Sequence, residues 1–174
     1  LPKEEILEIL HGYKGHDLDW QSGQVLGFIY DAGKEVHDVA HKAYTMYLTE
    51  NALDPLSFPS LLRLENEVVR MTANLLDCNS EVVGNFTSGG TESLILAVKT
   101  ARDYSRAVKP HIKEPEMVLP ITAHSSLFKA CHYLGIKPVV TRVDDVTFRA
   151  DVEDMRAAIS DNTILLVGSA PGYA

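Results

Sequence analysis

The apolar positions of this chain change their rhythm halfway along. In the first half they recur at helical spacing. Ile6, Leu7 and Leu10 predict a short helix over 3–11, and Val36, Val39, Ala43, Tyr44 and Tyr47 predict a second over 34–50. Leu61, Leu64, Val68, Met71 and Leu75 predict a third over 61–76, with Ser60 as its N-cap. Residues 12–33, rich in Gly, Asp and Ser, read as irregular chain, and 49–60, with two prolines, as a loop. In the second half, helical and strand-like runs alternate. Helix 91–107 leads to strand 116–121, helix 125–134 closed by Gly135, and strand 138–143. A helix over 151–160 follows, with Asp151 as N-cap and Val152, Met155 and Ile159 as its buried stripe. The last strand, 163–168, is apolar throughout, as expected when both faces of a sheet are covered. Strand–helix–strand–helix–strand at this spacing predicts a parallel α/β fold. No internal repeat or low-complexity tract interrupts it.

Composition narrows the class. The 174 residues are 45% hydrophobic and 23% charged, enough apolar material for a core, which excludes a disordered tail or a disulfide miniprotein. The net charge of −8 offers no electrostatic footprint for nucleic acid or an anionic membrane surface. No apolar run approaches the ~20 residues of a membrane-spanning helix, and the charged start LPKEEILEIL lacks a signal-peptide pattern. Two cysteines, Cys78 and Cys131, imply no disulfide framework, read as small buried residues, and make a reducing cytoplasm the expected compartment.

Candidate chemistry concentrates in TSGGTES, residues 87–93. Two glycines let a ligand approach the backbone, and the helix that follows offers unpaired N–H groups and the positive end of its dipole. With the hydroxyls of Ser88, Thr91 and Ser93 this makes an anion cup suited to phosphate; an ordinary Gly-rich turn is the competing reading. It is neither a Walker loop nor a G-x-G-x-x-G fingerprint. The second piece is TAHSS, 122–126, which sets His124 between a strand and a helix, where open α/β folds place ligands; a locally bonded helix-entry residue is its alternative. HDVAH, 37–41, has the spacing of a zinc-binding helix but an Asp in place of Glu and no third ligand, so a helix surface is the better reading and no metal is expected. No G-x-S-x-G elbow supports Ser88 or Ser125 as a hydrolase nucleophile.

GNFTSGGTESLILAVKTARDYSR closely resembles the cofactor-binding segment of sphingosine-1-phosphate lyases, within the group II pyridoxal-phosphate-dependent decarboxylase family. DLDWQSGQVLGFIY, NALDPLSFPSLLRLENEVVRMTANLL, ITAHSSLFKACHYLG and the block over 151–170 resemble further family segments in the same order. The resemblance implies a fold-type I large domain, incomplete in this chain. Residues 1–60 would be an N-terminal segment with active-site loops, and 61–174 the first part of the cofactor-binding domain. Ser88, Gly89, Gly90 and Thr91 would hold the phosphate of pyridoxal 5'-phosphate, and His124 would stack on its pyridine ring. Tyr30 and Asn51 match positions that line the active site across a homodimer interface. The implied activity is carbon–carbon lysis of a phosphorylated amino alcohol of sphingolipid metabolism. Amino-acid decarboxylation and a non-catalytic phosphate-binding fragment are the alternatives. The substrate is in either enzyme a small-molecule amine.

Two departures from the family pattern matter. Asp54 stands where the family motif N-x-L-H has a His expected to bind substrate phosphate; a carboxylate there would repel a phosphate dianion, pair with a cation or cap the loop. The family's cofactor-binding lysine, in an S-x-D-x-H-K context, and its pyridine-binding Asp are both absent. His41–Lys42 lies within the 34–50 helix and reads as a solvated face. The chain is therefore expected to be the N-terminal part of an enzyme roughly twice its length or more.

Overall fold

The computed structural model describes residues 1–25, 29–170 and 172. Residues 26–28, part of the VLGFIY motif, and Pro171, Tyr173 and Ala174 at the end of GSAPGYA lie outside the described residues. The chain divides into two compact units, 1–67 and 68–174.

In the first unit, α1 spans Lys3–Lys14, with Glu4 and Glu5 in its first turn and Lys14 in its last, charges that complement the helix dipole. A single 3-10 turn covers Trp20–Ser22. Helix α2, Lys34–Met46, follows Gly33, whose φ of 87° lies in the left-handed region that favours glycine. It ends short of the predicted residue 50 because Tyr47 leaves helical geometry at φ −108°. Helix α3, Pro59–Leu75, begins with Pro59 rather than after a Ser60 cap, which suits a residue that has no N–H to leave unbonded.

The predicted stripes of these helices are apolar but uncovered. Val36, Val39 and Tyr44 on α2, and Leu64, Val68, Met71 and Leu75 on α3, are exposed. The covered side of α3 beyond residue 67 runs instead through Val69 and Ala73. The loop after the helix lies there. The Cys78 N–H donates to the Ala73 carbonyl (2.9 Å), and a Cβ on Gly84 would stand 2.9 Å from Val69 Cγ1. Gly84 is thus a glycine because the loop touches the helix.

The second unit is a three-stranded parallel sheet in the order β2-β1-β3, where β1 is Glu116–Pro120, β2 Lys137–Thr141 and β3 Thr163–Leu166. Helix α4, Gly90–Val108, precedes β1. Helix α5, Ser125–Leu134, links β1 to β2, and the short α6, Val152–Ala157, links β2 to β3. Gly135, at φ 65°, closes α5 in the left-handed conformation expected of a C-cap glycine. The connections run in opposite directions along the sheet, from β1 out to β2 and from β2 back past β1 to β3, and with the usual right hand of such crossovers this places α5 and α6 on opposite faces.

The core lies under α4 and α5. Met117 and Leu119 of β1 pack with Val98 of α4 and with Ala123, Leu127, Ala130, Cys131 and Ile136 around α5. Val118 points to the other face and is also fully buried, so β1 is covered on both sides. Burial raises the Cys131 thiol pKa, which keeps it an inert core side chain.

Two expectations fail here. Strand β3 is only half-buried, and its Leu166 is exposed, because β1 is its one neighbour among the described residues. The α6 stripe is also uncovered. Val152 and Ile159 are exposed, and the helix stops at Ala157, before Ile159.

At the amino ends of the strands, Glu116 joins all three. Its Oε1 accepts from Lys137 Nζ of β2 (2.8 Å), and its Oε2 from Ser160 Oγ ahead of β3 (2.6 Å). Its own N–H donates to the Asn162 carbonyl (2.9 Å). The Lys137 ammonium, then the Ser160 hydroxyl, hold the Glu116 carboxyl below the usual carboxylate range.

Candidate active site

The anion cup forms where extended chain meets α4. Gly89 is extended (φ 163°, ψ 173°), and the first intrahelical bond runs from the Ser93 N–H to the Gly89 carbonyl (3.1 Å). The N–H groups of Gly90, Thr91 and Glu92 therefore precede the helical ladder and point out of its positive end. A Cβ at Gly89 or Gly90 would meet no atom within 4 Å. Unlike Gly84, these two glycines border open space rather than packed protein. Free N–H groups, a helix dipole and clearance for a bulky anion are what a phosphate requires, so the residues present fit the cofactor's phosphate.

The hydroxyls are arranged differently from the sequence expectation. Ser88 donates its N–H (2.7 Å) and its hydroxyl (2.6 Å) to the Glu92 carboxylate, which these bonds hold below its usual pKa, the hydroxyl first. Ser93 shares a 2.6 Å hydrogen bond with Thr87, whose hydroxyl also donates to the Gly89 carbonyl (3.1 Å). These bonds brace the cup internally. Thr87 and Glu92 lie inside the motif read from the sequence, which gave them no bracing role. The S-x-x-x-E spacing, a variant of a helix-capping pattern, was the available signal.

His124 is the N-cap of α5. It follows the carboxyl end of β1 by way of a turn in which the Ala123 N–H donates to the Pro120 carbonyl (2.9 Å). Its Nδ1 accepts from the Ser126 N–H (3.1 Å) and lies within hydrogen-bond distance of the Ser126 hydroxyl. An Nδ1 that accepts carries no proton, so the neutral ring bears its proton on Nε2. Ser126 is 2% exposed and is held by the helix, so it fixes both ring orientation and tautomer. The local capping role and an exposed, oriented imidazole thus coexist in one residue.

Tyr30, Asn51 and Asp54 belong to the other unit. Tyr30 is almost fully exposed, and Asn51 Oδ1 accepts from the Leu53 N–H (3.1 Å) in a local turn. The Asp54 carboxylate caps the turn before α3, taking the Leu56 N–H (2.9 Å), the Ser57 N–H (3.3 Å) and the Ser57 hydroxyl (2.6 Å). The Ser57 hydroxyl, then the two N–H groups, lower its pKa. The stability this carboxylate adds is present above the ordinary Asp range and lost as pH falls through the lowered value. Asp54→Ala should therefore be less stable than the parent at neutral pH, and the gap should narrow below about pH 4 in acid-unfolding curves. In the HDVAH segment, His37 Nε2 bonds Asp31 Oδ1 (2.9 Å), and among the described residues no group of three or more His, Cys, Asp or Glu could hold a metal.

No family model matches the chain. Known proteins do. A sphingosine-1-phosphate lyase of Oryza sativa is 43% identical over 178 residues, covering 97% of this chain and 32% of its own length. The solved structure of the Burkholderia pseudomallei sphingosine-1-phosphate lyase superposes with a TM-score of 0.87 at 34% identity, over 99% of this chain and 41% of that one. This chain is homologous to one part of the sphingosine-1-phosphate lyases. The order of the motifs read from the sequence had pointed to the same family. This lyase homologue spans about a third of the length of the curated lyases it matches. It is also 38% identical, over 98% of its length, to an L-aspartate/L-glutamate decarboxylase of Pyrococcus horikoshii, of which it covers 42%.

Proposed function

We propose that the protein carrying this chain is a pyridoxal-phosphate-dependent lyase that cleaves a carbon–carbon bond of a sphingoid-base-phosphate-like amino alcohol. The observation that carries this reading is the match to the Burkholderia lyase along 99% of the chain, with the phosphate-suited cup of α4 inside the matched span. Pyridoxal phosphate, when bound, supplies the electron sink for breaking a bond at the substrate's α-carbon. The chain's own part is binding and orientation. The N–H groups at Gly90 and Thr91 take the phosphate, with Gly89 leaving clearance and Ser88 bracing the cup through Glu92. His124 is the ring-stacking residue, with Ser126 directing its Nε2–H outward. Tyr30 and Asn51 are the substrate-lining residues, reaching a partner protomer's site in a homodimer. The lysine that anchors the cofactor comes from polypeptide beyond these 174 residues.

Decarboxylation of an acidic amino acid is the second reading. The identity to the Pyrococcus decarboxylase falls within the range of the lyase matches, and Asp54 is not the His expected to bind a substrate phosphate. A cytoplasmic location belongs to the same proposal. It rests on two free cysteines, and no described helix is long and apolar enough to cross a membrane.

The full-length protein should show cofactor absorbance at the edge of the visible. Borohydride should abolish that absorbance and leave the cofactor attached to a lysine in peptide mapping. A full-length product without such a lysine overturns both enzyme readings. Release of a long-chain aldehyde from a sphingoid-base phosphate supports the lyase, whereas release of carbon dioxide from aspartate or glutamate supports the decarboxylase.

A further inference from the structure

The carboxyl ends of β1 and β3 border a crevice of about 510 Å3, lined by Pro120, Thr122, Thr147, Phe148, Arg149 and Ser169 among others. Strand order reverses here, since the chain leaves β1 toward β2 and returns to β1's other side as β3. Crevices at such reversals are where open α/β sheets take ligands.

One side of the crevice is a tightly built loop. Asp144 Oδ1 accepts from the Val146 N–H (3.1 Å), the Thr147 N–H (2.7 Å) and the Thr147 hydroxyl (2.8 Å). The Asp144 carbonyl accepts from the Phe148 N–H (2.8 Å), and the Asp144 N–H donates to the Arg149 carbonyl (2.9 Å). These bonds hold Phe148 at φ 56°, a conformation strained for a bulky side chain. The constraint fixes Arg149 at the crevice wall.

Arg149 is also electrostatically unspent. Among the described residues it is the one arginine whose guanidinium has no hydrogen-bond or ion-pair partner. Asp144 is occupied by its own loop, and Asp151 and Asp154 are paired with Arg142 (3.6 and 3.4 Å). The substrates of both enzyme readings carry an oxyanion besides the reacting centre: a phosphate on the amino alcohol, a side-chain carboxylate on aspartate or glutamate. Asp54, where the family pattern has a His, has turned its carboxylate to capping its own loop.

We propose that Arg149 is the specificity residue that binds the substrate's distal oxyanion, phosphate or carboxylate, in this crevice. The inference rests on the proposed function for the identity of the substrate, and on the fold alone for the anion site. A planar guanidinium gives two parallel N–H bonds to either oxyanion, and the Thr122 hydroxyl on the same crevice offers a third donor.

The test uses the full-length protein saturated with pyridoxal phosphate, so that the α4 cup is filled. Phenylglyoxal, an arginine-selective reagent, should modify Arg149, as located by peptide mapping, and inorganic phosphate or succinate should suppress that modification. Protection by phosphate identifies the phosphate-bearing substrate, and protection by succinate the dicarboxylic one. Arg149→Gln should then raise KM for the matching substrate about tenfold with kcat nearly unchanged, and Arg149→Lys should recover part of it. Failure of both probes to protect Arg149, or an unchanged KM in Arg149→Gln, overturns the proposal. Loss of the proposed function appears separately, as absent cofactor absorbance, and the protection result still decides whether Arg149 binds an anion.

Discussion

Gly90→Ala should weaken pyridoxal phosphate binding by roughly a hundredfold, from loss of charge-assisted N–H bonds of about 1.5–3 kcal/mol each. The same substitution should leave the apo protein as stable as before, or more stable by about 0.4–1 kcal/mol. The two effects separate because of where the new methyl goes. It enters open space in the structure, at the start of a helix that alanine favours over glycine. That open space is where the cofactor's phosphate would sit. Absorbance titration with the cofactor and a thermal melt without it read the two effects independently. If affinity is unchanged, the glycines are a turn and the cup is not the cofactor site.

Leu119→Ala should destabilise the protein by about 2–5 kcal/mol, the range for deleting a large buried aliphatic side chain. Leu119 is completely buried in the central strand and packs in the cluster that joins α4 and α5 to the sheet. The strand is flanked on both edges and covered on both faces, so the site cannot collapse onto solvent. Denaturant unfolding followed by circular dichroism measures the loss. Leu166→Ala on β3, half-exposed by contrast, should stay well inside that range. Equal losses at the two positions would mean that β3 carries as much of the core as β1.

The contrast between β1 and β3 also shows what the sequence could and could not convey. Periodicity located every helix and strand of the second unit, because Gly135, Asp151 and the alternating runs are local signals with local causes. A glycine pair before a helix and a polar residue after a strand also leave direct traces, so the start of α4 and the His124 cap of α5 were legible as local structure. Periodicity reports that a face is apolar, however, and not what lies against it. Val68 and Met71 of α3 form a sound stripe by spacing, yet the loop at Gly84 covers Val69 and Ala73 instead. The apolar run of β3 suggested two covered faces, whereas among the described residues the strand is only half-buried and has one neighbouring strand. Hydroxyl pairings such as Thr87 with Ser93 and Ser88 with Glu92 depend on the backbone path between them. Arg149 became distinctive only once every other arginine had found a partner.

The attachment of Glu116 to Lys137 and Ser160 has a mechanical consequence. Parallel strands can slide past one another, and a one-residue slip exchanges the two faces of a strand. A slip of β1 would carry Met117 and Leu119 away from α4 and α5. The pairing of β1 with β3 is already irregular, because Glu116 faces Thr163 while Met117 faces Leu165, so Ile164 is an extra residue on that side. Glu116 sits at this irregularity and pins the phase of the sheet at one end. Its opposite end, where Pro120 leads to His124, can therefore vary in loop length and chemistry without losing alignment. The sheet behaves as a ruler clamped at its zero mark, with the loops that lead to His124 and Ser169 set out from the far end.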